Sequence, residues 1–87
     1  MDGLNFNVMR LDKYLKVSRI IKRRTVANEA CDIGRVLVNS KVARASYDVK
    51  IGDILEVNFG TRIFKAEITA IAETVKKDDA SLMYKLL

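Results

Sequence analysis

The spacing of apolar positions along the 87-residue chain changes several times, and each change marks a predicted element. Met1 to Val8 shows no period, and Met9-Arg10-Leu11-Asp12-Lys13 reads as a plausible second start, so residues 1–8 are expected to form a flexible extension outside the fold. From Arg10, the residues Leu11, Tyr14, Leu15 and Ser18 fall on one face at about 100° per residue, with Lys13, Lys16 and Arg19 on the other. This predicts a short amphipathic helix. A second helical pattern runs from about Arg23 to Ile33, with Val26, Ala27, Ala30 and Cys31 turned inward and Gly34 placed for the left-handed residue that ends helices.

After Gly34 the period becomes that of strands. Arg35-Val36-Leu37-Val38 meets an Asn39-Ser40 turn, and Lys41-Val42-Ala43 returns. Asn39 suits a positive φ, whereas Ser40 stands where Gly is frequent. Val49 to Asp53 has turn composition, then Leu55, Val57 and Phe59 alternate with polar or outward positions, and a further alternating run covers Arg62 to Ile71 as the return arm of a hairpin. In the tail, 76–87, Asp78 or Asp79 is a candidate N-cap, and Leu82, Met83 and Leu86 form an i, i+3/i+4 stripe that predicts a short terminal helix. The expected architecture is α+β. Residues 9–75 form one domain with a hairpin extension, and 76–87 form a helical tail.

Composition removes several chemistries. His and Trp are absent and Cys31 is the only cysteine, so catalytic dyads built on His, internal disulfides, CxxC redox pairs and Cys/His metal sites are excluded. No nucleophile and base stand at recognisable spacing, and a chain this short has little room for a cavity, so no catalysis, cofactor or metal is expected. The single thiol fits a reducing cytosol. No run of about 18 apolar residues could span a membrane, and the N-terminus lacks the order of a signal peptide, so a cytoplasmic protein without membrane contact is expected.

Charge then becomes informative. The formal net charge is +5, but residues 10–50 hold eleven Lys/Arg against four acids while residues 51–87 hold five against six. A one-sided basic half on a folded domain points to a polyanion, most often nucleic acid. Lys22-Arg23-Arg24 stands where the second helix begins, at the positive end of its macrodipole, where each cation is unfavourable by about 0.3 to 1 kcal/mol until an anion arrives. By that reasoning removing Arg24 should relieve the unbound protein. Arg10, Lys13, Lys16 and Arg19 add a basic face along the first helix, and Asn39, Lys41 and Arg44 a second basic edge. Asp12 interrupts the field. It either favours the macrodipole and pairs with Lys16, or orients a neighbouring arginine toward phosphate. Tyr14, Tyr47 and Phe59 are spaced as core residues, so recognition is expected to rest on backbone and shape, without a stacking sheet.

Taken together, Arg10-Leu11-Asp12-Lys13-Tyr14-Leu15, Ser18-Arg19, Lys22-Arg23-Arg24-Thr25, Ala30, Ile33 to Asn39, Lys41 and Val49 to Val57 resemble the S4 RNA-binding domain. The resemblance covers nearly everything from Met9 to Phe59. It implies an αL-type module of two N-terminal helices packed on a small antiparallel sheet, binding structured RNA through the basic two-helix face. Among stand-alone S4 proteins, the stretches from Met9 to Arg19 and from Ile20 to Thr25, together with the ending from Lys76-Lys77 to Met83-Tyr84, look like the RqcP proteins of bacterial ribosome quality control, relatives of the small S4 heat-shock protein. That likeness implies a monomer that binds a large (50S) ribosomal subunit still holding peptidyl-tRNA, contacts 23S rRNA and tRNA, and supports C-terminal alanine tailing by an RqcH-type factor. Heat-shock-type recycling of aborted subunits is the alternative. By motif position the implied RNA face comprises Arg10, Asp12, Lys16, Arg19, Lys22, Arg23 and Arg24. The eight-residue leader and Ser40 depart from the pattern.

Overall fold

The computed structural model describes residues 8–73 and 75–87. The predicted flexible extension lies outside them except for Val8, which opens the first strand. In chain order the elements are β1 (Val8–Arg10), α1 (Leu11–Val17), α2 (Arg24–Asp32), β2 (Val36–Val38), β3 (Lys41–Val42), β4 (Asp48–Lys50), β5 (Ile54–Asn58), β6 (Ile63–Ile68), a 3-10 helix (Lys77–Met83) and β7 (Tyr84–Leu86). Five strands form one antiparallel sheet in the order β3-β2-β5-β6-β7, and β1 and β4 form a separate two-stranded ribbon. The α+β architecture, with two leading helices on a small antiparallel sheet, is as expected.

Seven residues are too few for a helix to hold itself in water, so α1 depends on what receives it. No side chain caps it. Instead the N–H groups of Leu11 and Asp12 donate to the carbonyls of Tyr47 (2.7 Å) and Ala45 (3.1 Å) in the loop before β4, satisfying two of the donors a helix start leaves open. Leu11, Tyr14 and Leu15 are fully buried against Ala27 and Cys31 of α2 and against the sheet residues Val36, Val38, Leu55, Val57 and Ile68. On the sheet, Val36 pairs with Val57 and Val38 with Leu55, so both strands turn their apolar set to the same face. Gly34 has φ +80°. The N–H of Gly34 donates to Cys31 (3.0 Å) and that of Arg35 to Ala30 (3.0 Å), the paired bonds of a left-handed helix end. The Asn39-Ser40 turn keeps its geometry with both residues at positive φ, 53° and 71°, although Ser40 pays a steric penalty Gly would not.

Four expectations change. The stretch after Tyr47 is more than a turn: Asp48–Lys50 pairs with Val8–Arg10, placing Met9 opposite Val49, and both are buried. Tyr47 and Phe59 are 41% and 47% exposed rather than core, since the sheet's buried face ends at Val57 and the loop carries Tyr47 outward. Val26 on α2 is also exposed. In the tail the helix is of 3-10 type with Lys76 as an unassisted N-cap, so neither Asp78 nor Asp79 caps it, and the last residues form β7 instead of continuing the helix. The open edge of β6 explains this. Leu86 pairs with Ala66 and Tyr84 with Ile68, filling hydrogen bonds that a helix would leave to water. Of the predicted stripe only Met83 is buried, and its carbonyl accepts from the Tyr14 hydroxyl at 2.8 Å, tying the tail to α1.

Candidate nucleic-acid interface

Asp12 occupies the first turn of α1 and is only 2% exposed, which for a carboxylate demands partners. It has five donors. Arg10 meets it side-on, Nε to Oδ1 and Nη2 to Oδ2, both at 3.2 Å. Arg24, the first residue of α2, reaches across with Nη2 at 3.4 Å from Oδ1 and Nε at 3.3 Å from Oδ2. Asn28, one turn further along α2, donates to Oδ2 at 3.3 Å, and the Lys13 N–H to Oδ1 at 2.8 Å. The sequence left two roles open for Asp12. Its carboxylate contacts Arg10 and Arg24, and no Lys16 pair is formed among the described residues.

Burial works to raise the Asp12 carboxyl, but the hydrogen bonds from Arg10, Arg24 and Asn28 and the charge of Arg24 outweigh it, and the group lies below its ordinary range. The same bond to Asp12 raises the Arg10 guanidinium. Five donors exceed the roughly four lone-pair directions of a carboxylate, so the arginine bonds stay longer than the 2.7 to 2.9 Å typical of charge-assisted pairs. Both arginine side chains remain about half exposed, at 48% and 47%. Arg10 donates two N–H groups to Asp12 and Arg24 donates one, and each keeps the rest for another acceptor. Two cations on one buried anion leave a net positive charge, fixed in direction, at the junction of the two helices.

The other predicted residues divide among several places. Arg44 lines a cleft with Arg10 and Asn28 beside Cys31 and Gly34, extending the Asp12 cluster toward the loop before β4. Lys16, Arg19 and Lys22 line a different cleft, whose further wall is Glu73, Val75 and Lys77. Lys13 pairs with Glu73. Arg23 is the exposed N-cap of α2, and Lys41 is exposed beside Tyr47 at the β2–β3 turn. Asn39 serves the fold: its amide donates to Asp53 at 3.1 Å and its carbonyl accepts from the Ile54 N–H at 2.9 Å.

Asn28, Glu73 and Lys77 are in these sites and were not anticipated. Asn28 could have been found, because it stands four residues after Arg24 on the same helical face; nothing in the sequence brings residues 73 and 77 to α1. Cys31 is buried, which pushes its thiol up to about 11, with Asp12 and Asp32 adding to the shift, so it stays protonated near neutral pH. Among the described residues no group of His, Cys, Asp and Glu is arranged to hold a metal, and no helix is long and apolar enough to cross a membrane.

A basic two-helix face on a small antiparallel sheet defines an S4-type RNA-binding module, and the model of the S4 domain family matches residues 9–55. The chain is 54% identical over 78 residues to the RQC P-site tRNA stabilizing factor of Halalkalibacterium halodurans, covering 90% of this chain and 89% of the relative. It is 51% identical to the protein of the same name from Bacillus subtilis, covering 91% and 92%. Among solved structures, the trimeric Heat Shock Protein 15 of Vibrio cholerae superposes with a TM-score of 0.85 at 27% identity, over 92% of this chain and 82% of that one. The chain therefore belongs to the S4 domain family and, within it, to the group of RQC P-site tRNA stabilizing factors that these relatives define.

Proposed function

We propose that this protein is a non-catalytic, cytoplasmic RNA-binding factor of bacterial ribosome quality control that acts, as a monomer, on large ribosomal subunits holding peptidyl-tRNA. The observation that carries this reading is the buried Asp12 carboxylate holding two half-exposed arginines at the helix junction. Phosphate recognition needs guanidinium groups whose orientation is fixed before the anion arrives, because ordering them on binding would subtract from affinity. The names of the relatives, which refer to a P-site tRNA, support tRNA as one partner. In this reading the basic face contacts 23S rRNA and tRNA together, and by steadying the tRNA it supports alanine tailing by an RqcH-type factor on the same particle.

Binding through about five cations gives a slope of log K against log salt of roughly −3.5 to −4.5. Two weak contacts on one particle also act at high effective concentration, so subunits carrying peptidyl-tRNA should release the protein more slowly than empty ones. Dissociation rates from the two kinds of subunit, measured across a salt titration, test both points. Equal rates, or a slope near zero, would remove the reading. The structural likeness to Heat Shock Protein 15 favours a second role, recycling of aborted subunits without tailing. The two roles separate in cells lacking the protein: loss of alanine tails supports the first, and unchanged tails the second.

A further inference from the structure

We infer that Tyr47 and the β2–β3 turn form a stacking site for one unpaired nucleobase, so that the protein reads a base as well as a backbone. The inference rests on the RNA-binding reading above and extends it to a part of RNA that basic side chains do not grip. The Tyr47 ring is 41% exposed and stands at a depression of about 420 Å³ lined also by Val38, Asn39, Lys41, Val42 and Ala43. That volume falls in the range of small-ligand clefts, about 300 to 1,000 Å³. The lining is unlike that of a phosphate site. Val38, Ala43, the ring and Val42, itself 64% exposed, are apolar; the Asn39 amide and carbonyl are engaged by Asp53 and Ile54; and Lys41 is the one charged residue there. A flat base with polar edges suits these walls. Its face stacks on the ring, the aliphatic side chains keep water from it, and the lysine serves an acceptor on its rim.

The way Tyr47 is held supplies the second, independent observation. Its carbonyl accepts from the Leu11 N–H at 2.7 Å and its N–H donates to the Arg44 carbonyl at 3.0 Å, so both backbone groups are fixed and the ring is presented from a rigid base. A platform set before the ligand arrives loses little freedom on binding. Tyr14 shows the contrasting use of the same side chain: it is fully buried, and its hydroxyl is bonded to the Met83 carbonyl. The depression also has a definite neighbour. Val42 and Ala43 line both it and the cleft that holds Arg10 and Arg44. A strand held by its phosphate on the arginines thus finds an adjoining place for an unstacked base.

Two RNA hairpins test the site, one fully paired along its stem and one carrying a single unpaired 2-aminopurine in a flexible bulge. The protein should bind the bulged hairpin about tenfold more tightly and quench the 2-aminopurine emission as the base stacks. Tyr47→Ala should abolish both the preference and the quenching while leaving affinity for the paired hairpin unchanged. Its thermal midpoint should move by no more than about 3 °C, since the ring is exposed and the backbone bonds remain. Tyr47→Phe should keep the preference, whereas Tyr47→Leu, apolar but without a π face, should lose most of it. Equal binding of the two hairpins without quenching would overturn the site and leave the phosphate face standing; failure of the wild type to bind either hairpin would overturn the RNA-binding reading itself. A loss in Tyr47→Phe as large as in Tyr47→Ala would overturn stacking in favour of a hydroxyl contact. Weaker binding of Tyr47→Ala to purified large subunits, with neither hairpin affected, would overturn the nucleobase in favour of a ribosomal protein.

Discussion

Asp12 and Asp53 are buried to nearly the same degree, at 2% and 3% exposure, yet their donors differ in kind. Asp53 receives the Asn39 amide, the backbone N–H of Lys50 at 3.0 Å and the Lys50 ammonium at 3.3 Å, and so locks the β2–β3 turn to the turn before β5. Two of these three bonds come from the backbone or a turn side chain, and only the exposed Lys50 ammonium keeps donors free. Asp12 gathers two arginines from two helices and leaves their outer N–H groups at the surface. Burial of a carboxylate therefore says little about function. The informative quantity is how much donor capacity its partners retain after satisfying it.

Breaking Asp53 should have the largest effect on the fold. Asp53→Ala leaves the Asn39 amide and the Lys50 N–H without an acceptor, which should lower stability by about 2 to 3 kcal/mol and the thermal midpoint by at least about 10 °C. At a temperature where the variant is folded, its RNA affinity should equal that of the wild type, and a matching loss of affinity would erase the contrast with Asp12.

Asp12→Asn should lower RNA affinity about tenfold, about 1.4 kcal/mol, although it makes the protein more positive. A simple charge count predicts tighter binding, so a filter or fluorescence titration separates the two directly. The same variant has a pH signature. The folded-state carboxyl lies below its ordinary value of 3.8, so its contribution to stability is fully present above about pH 4 and is lost as pH falls through the folded value. Acid unfolding of the wild type should steepen below that point, and Asp12→Asn should start less stable at neutral pH and show a shallower acid decline.

A smaller effect tests Arg24. Helix-dipole reasoning from the sequence expects Arg24→Ala to stabilise the unbound protein, but the structure pairs this arginine with a buried anion. Half-exposed, the pair is worth about 0.5 to 1 kcal/mol, and the midpoint should fall by a few degrees. The smallest effect belongs to Ser40→Gly, which should add about 0.5 to 1 kcal/mol by relieving its left-handed backbone and leave RNA affinity untouched.

The helices and their inward residues were legible because Leu11, Tyr14, Leu15, Ala27 and Cys31 recur at helical spacing, and the end of α2 because Gly34 follows it directly. The cations were legible one by one. Their grouping was not, since Asp12 and Arg24 lie twelve residues apart on different helices and meet only when the helices cross. Strands of three residues, such as β1 and β4, are too short to display a period, and their pairing is a long-range event. In the tail, a helical pattern in Leu82, Met83 and Leu86 lost to an unfilled strand edge, a tertiary demand that local spacing does not carry.

The bond between the Tyr14 hydroxyl and the Met83 carbonyl spans 69 residues, and it bears on how the protein is made. Tyr14 leaves the ribosome long before its acceptor is synthesised, and its ring is fully buried in the finished molecule. The nascent chain can bring α1 against α2 early, but the hydroxyl must stay hydrated until residue 83 has emerged and β7 has joined β6. Closure of the core is thus a late event in synthesis, and chains cut short before Met83 should present a wet, protease-sensitive α1 to the quality-control machinery of the cell.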